Sequence, residues 1–569
     1  MRRNGERSCP PPSVIALVVT LLAGACMPAT EPLPTGVEVP EPGGRIVEGV
    51  PGDIATLQPI LANDQSSNRV ASKIYEQLTE VNPQTGEIEP NLGRWTMTPD
   101  GRTFVWQIEP NAKWSDGTPI TGIDYLTTVK SVARSKKTIR RSNFQDIEGF
   151  TAYADGKATS IVGITVDGKR FSVTFNKVFC PSLASTFSGN PAALLPAQVF
   201  AKYTVDDDPS RNLDDAPENI LPTVSSGPFL FKEWRRGDQV ILDRNPSYWK
   251  GPPFVEHYVQ KTVSDATAVA SGLKTGELNY GTIQSRELAD IENQKQLQVF
   301  RYPQPGYNYI GWNVRSQSAP ALQDRRVRQA LAYGLDIDAV VKAVFFGQAK
   351  KVVAHSPSTS WAYTPNLNPY AYDRSKAEEL IRSAGYAKGA DGIYQKEGRA
   401  LAFSILANAT NRNVASLVQI AVEQYGQIGV RVTPRLEASA TVNERLLAGD
   451  PTIESWTSGW GLSGDPDPYS IWHSSQIPDP SKNRQGFNFG GFTAAGVDEA
   501  IEKGRNGPDC SRATRAASYQ TFNRILNEEQ PYNFGFAPNT IVVTNRNLHI
   551  VNPGTFNDVP SIQLWWLHS

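Results

Sequence analysis

The chain has 569 residues, and its 56 lysines and arginines nearly balance 57 aspartates and glutamates, for a formal net charge of -1. That balance removes the electrostatic case for nucleic acid as the main partner. The length calls for at least two lobes, because a single core rarely grows beyond about 250 to 300 residues.

Arg2, Arg3 and Arg7 precede an apolar stretch from Val14 to Leu22 and then Ala23-Gly24-Ala25-Cys26. Positive, apolar and small segments in that order read as a secretory signal over residues 1–25. The apolar stretch is shorter than the roughly 20 residues that cross a bilayer. Leu-Ala-Gly-Ala before Cys26 resembles a bacterial lipobox, which implies cleavage before Cys26 and a diacylglycerol on its thiol. Where that pattern carries leucine three residues before the cysteine, this chain has Ala23, with Leu22 one step farther. Residues 26–43 are rich in proline and poor in large apolar groups, and read as a tether reaching on the order of 50 Å.

Arg45-Ile-Val-Glu-Gly-Val alternates apolar and polar positions and predicts a strand that Pro51-Gly52-Asp53 ends. Val70, Ile74 and Leu78 recur four apart and predict a helix over 68–78. Strands are predicted at 103–108, 171–175 and 240–242, and helices at 326–335, 375–384, 414–428 and 512–528. The basic run Lys130 to Arg141 has no interleaved aromatic residue and reads as a solvated helix end. The pattern is mixed α/β without a fixed repeat.

Four stretches carry a resemblance. The first runs from Asn91, with Trp95, Asp100-Gly101, Trp114-Ser-Asp-Gly117 and a helix starting near Asp124. The second joins Ser226-Gly-Pro-Phe229 to Arg244-Asn-Pro-Ser-Tyr-Trp-Lys-Gly251. The third is Asp324-Arg-Arg-Val-Arg-Gln-Ala-Leu-Ala-Tyr-Gly-Leu-Asp336, followed by Tyr372-Asp373 and the helix to Ala384-Gly-Tyr386. The fourth is Ser458-Gly-Trp-Gly461 to Asp467-Pro468, with Asn488-Phe-Gly-Gly-Phe492 and Val497-Asp498 behind it. Together, and in this order, they resemble the peptide-type extracytoplasmic solute-binding proteins, family five, over nearly all of residues 44–566. The turn motifs are read as serving fold and hinge rather than ligand contact.

The resemblance implies an α/β, two-lobed periplasmic-binding-protein type II-like fold with an extra inserted subdomain. Lobe I takes residues 44–69, 190–285 and 530–569, the insert 70–189 and lobe II 286–529. Cys9 falls in the signal and Cys26 at the anchor, leaving Cys180 and Cys510. An exported protein permits a bridge, but these lobes separate the two, and they are read as unbridged.

No G-x-x-x-x-G-K-[ST] loop is present, so ATP hydrolysis falls to a partner, and no G-x-S-x-G elbow marks a hydrolase. Ser247-Tyr-Trp-Lys250 and Lys274-Thr-Gly276 mimic penicillin-recognising motifs but lie too close together, and no S-D-N accompanies them. No catalytic residue, cofactor or metal is expected. His257, His355, His473, His549 and His568 lack paired ligand spacing and read as surface or capped histidines.

In the resembled family the Trp456-to-Pro468 stretch lines the cleft, and an extended ligand pairs with its backbone. Ser458 and Gly459 would admit close approach, and Trp460 a flat apolar wall. Peptide-binding members hold the ligand ammonium on an aspartate soon after this tryptophan. Three residues after Trp460 stands Ser463, and Asp465 comes two later, so either Asp465 takes that role or the cargo lacks a free amine. Trp361 and Tyr363 on a Pro-rich loop are candidate contacts, as is Trp456, for which lobe core is the alternative, as for Trp472. The expected function is capture of di- or oligopeptides between closing lobes, by a monomeric lipoprotein at the outer face of the cell membrane or in the periplasm, for an ABC permease and its ATPases. An oligosaccharide or other amine-free solute is the alternative, and a secreted sensor or hydrolase a third.

Overall fold

The computed structural model describes residues 40–568 except 207, 209, 410, 480, 482, 483 and 485; the signal, Cys26 and most of the tether lie outside the described residues. Strands β1 (Arg45–Pro51), β2 (Phe229–Arg235), β3 (Gln239–Arg244), β4 (His257–Val263), β5 (Tyr280–Ile283) and β6 (Leu297–Pro303) form one part of a 12-stranded sheet. The other part holds β7 (Gly306–Trp312), β8 (Ala349–Lys351), β9 (Ala402–Asn408), β10 (Arg431–Glu437) and β11 (Ser455–Gly461). Strand β12 (Tyr532–Asn545) belongs to both. The order is β10-β9-β11-β7-β12-β5-β1-β4-β3-β2, with β6 and β8 also on β12.

The 14 residues of β12 explain the join. Tyr532 to Phe536 pair antiparallel with β7, whereas Ile541 to Thr544 pair with β5. Beside this switch the chain turns from β6 into β7 through Gln304 and Pro305. The buried apolar residues divide at the same places. Two clusters use residues 46–297 and 541–565, and two others use residues 307–537.

A separate antiparallel sheet of Gly93–Met97, Thr103–Ile108, Arg170–Thr174 and Ile164–Asp167 lies within residues 70–189. Its Trp106 stacks on Phe171 at 6.2 Å between ring centroids, and both share a cluster with Ile46 and Phe229. Residues 70–189 therefore share this core rather than forming one of their own.

The predicted helix over 68–78 is observed as α1 (Gln65–Ile74). Asp64 caps it, its carboxylate accepting from Ser67 N–H at 2.7 Å. It stops because the Ile74 carbonyl accepts from Ser225 Oγ, Ser226 N–H and Gly227 N–H at 2.6, 3.0 and 2.8 Å, leaving nothing for a further turn. A Cβ on Gly227 would sit 2.3 Å from the Lys73 carbonyl oxygen, so only glycine fits. Asn245 completes the staple, donating through Nδ2 to the Gly227 carbonyl at 2.9 Å. The Gly-Pro-Phe and Arg-Asn-Pro motifs thus form one structural unit. Likewise Asp324 caps the helix Arg325–Tyr333, and buried Arg328 donates to the carbonyls of Leu322 and Glu529.

Two readings are corrected and one is sharpened. Cys180 and Cys510 are bridged, with 5.1 Å between their Cα atoms. They meet because the chain around Cys180 packs against the end of the helix Val497–Asn506: Cys180 N–H donates to the Arg505 carbonyl at 2.9 Å, and the Arg505 guanidinium lies over Phe179 and pairs with Asp146 at 3.1 Å. The basic run is not a solvated helix end. Arg134 is 7% exposed, Lys130 meets Asp206 at 2.8 Å, and Arg140 and Arg141 donate to the carbonyls of Ala62 and Ala133. His355 is not at the surface but 1% exposed between Tyr307, Trp472 and Phe522, and is capped there, its Nδ1 accepting from Trp472 Nε1–H at 3.1 Å.

Candidate functional site

Strand β11 reads Ser-Trp-Thr-Ser-Gly-Trp-Gly. Along its full length it pairs with β7, from Gly306 opposite Gly461 to Trp312 opposite Ser455. On its other side β9 pairs only with Ser455 and Trp456. From Thr457 to Gly461 the outer edge therefore has no strand partner among the described residues. Exposed sheet edges carry unpaired N–H and C=O groups that template a further strand.

Glycine makes the close β7–β11 approach possible. A Cβ on Gly306 would lie 2.1 Å from the Trp460 carbonyl oxygen, and one on Gly459 would lie 2.8 Å from Asn308 Oδ1. Behind the edge, Trp460 packs nearly parallel to Tyr309 and Phe489, with centroids 6.0 and 5.8 Å away, and Tyr309 stacks on Tyr532 at 3.9 Å. Burial pushes the Tyr309 hydroxyl up to about 12, so it stays neutral.

Two neighbouring cavities open along this edge. One of about 420 Å³ is lined by Gly459, Trp460, Gly461, Asn308, Arg69 and Phe556, among others. The second, of about 250 Å³, takes in Ser458, Tyr309, Gln284 and Asn411, and shares Thr282, Gln304, Asn308 and Thr540 with the first. Arg69 reaches in from α1 and pairs with Asp558 at 2.9 Å and Glu48 at 2.5 Å. Burial works against its charge, but Asp558 and Glu48 outweigh that and raise its affinity for the proton. Lys73, one turn later, donates to the Arg69 carbonyl at 2.7 Å, and burial lowers it to about 8.

The structure divides the sequence-predicted residues. Ser458, Gly459 and Trp460 line these two cavities. Trp456 is fully buried, edge-on to Tyr309 and Phe489, and is a core residue, as is Trp472. Trp361 and Asp465 line another cavity of about 450 Å³ beside the disulfide. Trp361 Nε1–H donates to the Gly464 carbonyl at 2.9 Å, and Tyr363 is 46% exposed. Asp465 accepts from both terminal nitrogens of Arg515, at 2.5 and 2.7 Å. Asp467 is held by Arg505 at 2.6 Å, while burial pushes its carboxyl up. Asn308, Gln304, Gln284, Arg69 and Phe556 escaped sequence reasoning; only the strand register and the return of the C-terminal segment bring them here. Among the described residues no group of three or more His, Cys, Asp or Glu side chains is placed to hold a metal ion, and no helix is long and apolar enough to cross a membrane.

Comparison with known proteins shows the family and the fold. The family model for bacterial extracellular solute-binding proteins, family 5 middle, matches residues 87–480. The oligopeptide-binding protein AppA of Bacillus subtilis (strain 168) is 25% identical over 534 residues, covering 93% of this chain and 92% of that protein. Heme-binding protein A of Haemophilus influenzae is 24% identical over 497 residues, covering 84% and 85%. Among solved structures, AppA from Bacillus subtilis in complex with a nonapeptide has a TM-score of 0.78 at 24% identity, covering 93% of this chain and 100% of that one. NikZ from Campylobacter jejuni in complex with Ni(L-His) has a TM-score of 0.77 at 23% identity, covering 92% and 99%. These are proteins that bind solutes for transport, not enzymes, and they work outside the cytoplasm. On the match over residues 87–480, the chain belongs to the bacterial extracellular solute-binding proteins of family 5.

Proposed function

We propose that this protein captures an extended, amide-bearing ligand, a di- or oligopeptide, as an added strand on β11 and delivers it to an ABC permease. The observation that carries this reading is the edge from Thr457 to Gly461, which has no strand partner among the described residues and is flanked by the two cavities. Backbone pairing ignores ligand side chains, and so suits a receptor of many sequences. Residues 70–189 are proposed as an insert of lobe I and the segments at Gln304–Pro305 and Ala537–Thr540 as the hinge, a reading supported by the division of the cores. A ligand that touches both lobes only when they are closed shifts the equilibrium toward closure. Lipidation of Cys26 would keep the protein at the membrane face.

N-methyl scanning of alanine pentamers, read by tryptophan fluorescence, tests the pairing. A methyl replacing an N–H that faces β11 should weaken binding about tenfold, the equivalent of ~1.4 kcal/mol, while methyls on N–H groups facing away should have little effect. Uniform tolerance at every position would remove the edge-pairing reading.

A second reading, an amine-free solute, is favoured by one observation: the carboxylate of Asp465 is already engaged by Arg515.

A further inference from the structure

The walls along the free edge carry almost no charge. In the smaller cavity, lining residues are apolar, hydroxyl or amide throughout. In the larger, the ionic groups are Arg69 and Asp558, which already face each other at 2.9 Å, with Glu48 behind Arg69. Drawing Arg69 toward a ligand would leave two carboxylates without their cation, and drawing Asp558 away would break a largely buried ion pair, which is costly. The two carboxylates that follow the strand are engaged as well, Asp465 by Arg515 and Asp467 by Arg505. By contrast, the side-chain amides of Gln65, Gln284, Gln304 and Asn308 make no hydrogen bond within the protein among the described residues, although each lines at least one of the two cavities.

Resting on the capture reading, we infer that the part of the ligand seated along Thr457 to Gly461 is electrically neutral and bears amide or hydroxyl groups, with no ammonium or carboxylate inside the cleft. Moving an unpaired charge from water to such a site has a large desolvation cost, and the charged groups of the wall are already engaged with one another. A neutral amide or hydroxyl loses only hydrogen bonds to water, and the free Gln and Asn groups replace them. A peptide with blocked or distant ends and a neutral oligosaccharide share this chemistry.

Calorimetry on the full exported protein with three probes separates the cases: penta-alanine acetylated and amidated at its ends, penta-alanine with free ends, and cellopentaose. At least one neutral probe should bind about tenfold or more tighter than the free-ended peptide, and its affinity should change less than about threefold between about 20 and 500 mM NaCl. Which neutral probe binds identifies the source. Free-ended penta-alanine binding as tightly as both neutral probes overturns the inference and leaves capture standing. Binding of none overturns the capture reading and this inference with it. Asn308→Asp installs a carboxylate in nearly the same volume, and should shift preference toward the free-ended peptide by about tenfold; an unchanged preference counts against a charge-selective wall.

Discussion

At the residue scale, the ion pair beside the cleft decides how much of its chemistry is available to a ligand. Asp465 and Arg515 have side chains only 13% and 7% exposed. Removing one partner of such a pair leaves an uncompensated charge, so Arg515→Met or Asp465→Ala should each lower stability by roughly 3 kcal/mol in urea unfolding, and Asp465→Asn with Arg515→Gln should recover part of that. If the carboxylate serves Arg515 and not a ligand, Asp465→Asn leaves the affinity for any bound peptide unchanged. A loss above about tenfold would assign Asp465 to the ligand instead. His355 gives a pH prediction. Trp472 Nε1–H donates to its Nδ1 at 3.1 Å, which puts the ring proton on Nε2, and burial lowers its pKa to about 3. The ordinary value near 6.5 then applies only to the unfolded chain, which binds more protons than the folded one between pH about 3 and about 6.5. Stability contributed by this group is complete above about 6.5 and falls as the pH drops toward 3, at up to about 1.4 kcal/mol per unit. His355→Gln keeps an acceptor without titrating, and should flatten unfolding free energy over that window.

At the element scale, β11 shows why some of the fold was legible in the sequence and some was not. The helices Arg325–Tyr333, Arg374–Ser383, Arg412–Gln427 and Arg512–Glu529 fall within about two residues of their predicted bounds, because each buries one face and exposes the other. Strand β7 is buried nearly throughout, β9 lies parallel between β10 and β11, and β11 mixes Ser, Thr and Gly with Trp, so none carries the alternation that marks a strand with one wet face. The same limit governed the site. Gly459 and Trp460 stood out in a tryptophan-rich motif, whereas Asn308 reaches the cleft only through its register opposite Gly459. Asp465 was legible as a carboxylate at nearly the right distance from Trp460, but its partner Arg515 lies 50 residues on. That register also makes a prediction. Gly306→Ala places a methyl against the Trp460 carbonyl, where backbone cannot yield cheaply. It should cost about 1 to 3 kcal/mol of stability and displace the edge, weakening ligand binding as well. Gly347→Ala, with nothing within 4 Å of the added carbon but a φ of +77°, is the control: loss of stability from backbone strain without loss of affinity.

At the scale of the molecule, the halves are joined in three places. Two are the chain segments at Gln304–Pro305 and within β12, and the third is the Cys180–Cys510 bridge. Because the insert shares its hydrophobic cluster with β1 and β2, a bond from Cys180 fastens the whole first half to the segment that follows Val497–Asn506. The bridge closes a loop of 330 residues, and the chain-entropy account puts its effect on the order of 5 kcal/mol. Cys180→Ser with Cys510→Ser should therefore lower the urea midpoint clearly, even with the Arg505–Asp146 and Arg512–Glu87 pairs left in place. The same bond should limit how far a hinge at the two crossings can open. If ligand leaves by that opening, the double serine variant releases a bound ligand faster than the oxidised protein by about tenfold or more, measured by competitor chase, and a dithiol reductant added to the native protein reproduces the change as the bridge becomes two thiols. Lower stability with an unchanged release rate would show that the bridge braces the fold without touching ligand exchange, and that the route to the cleft lies elsewhere than between the halves.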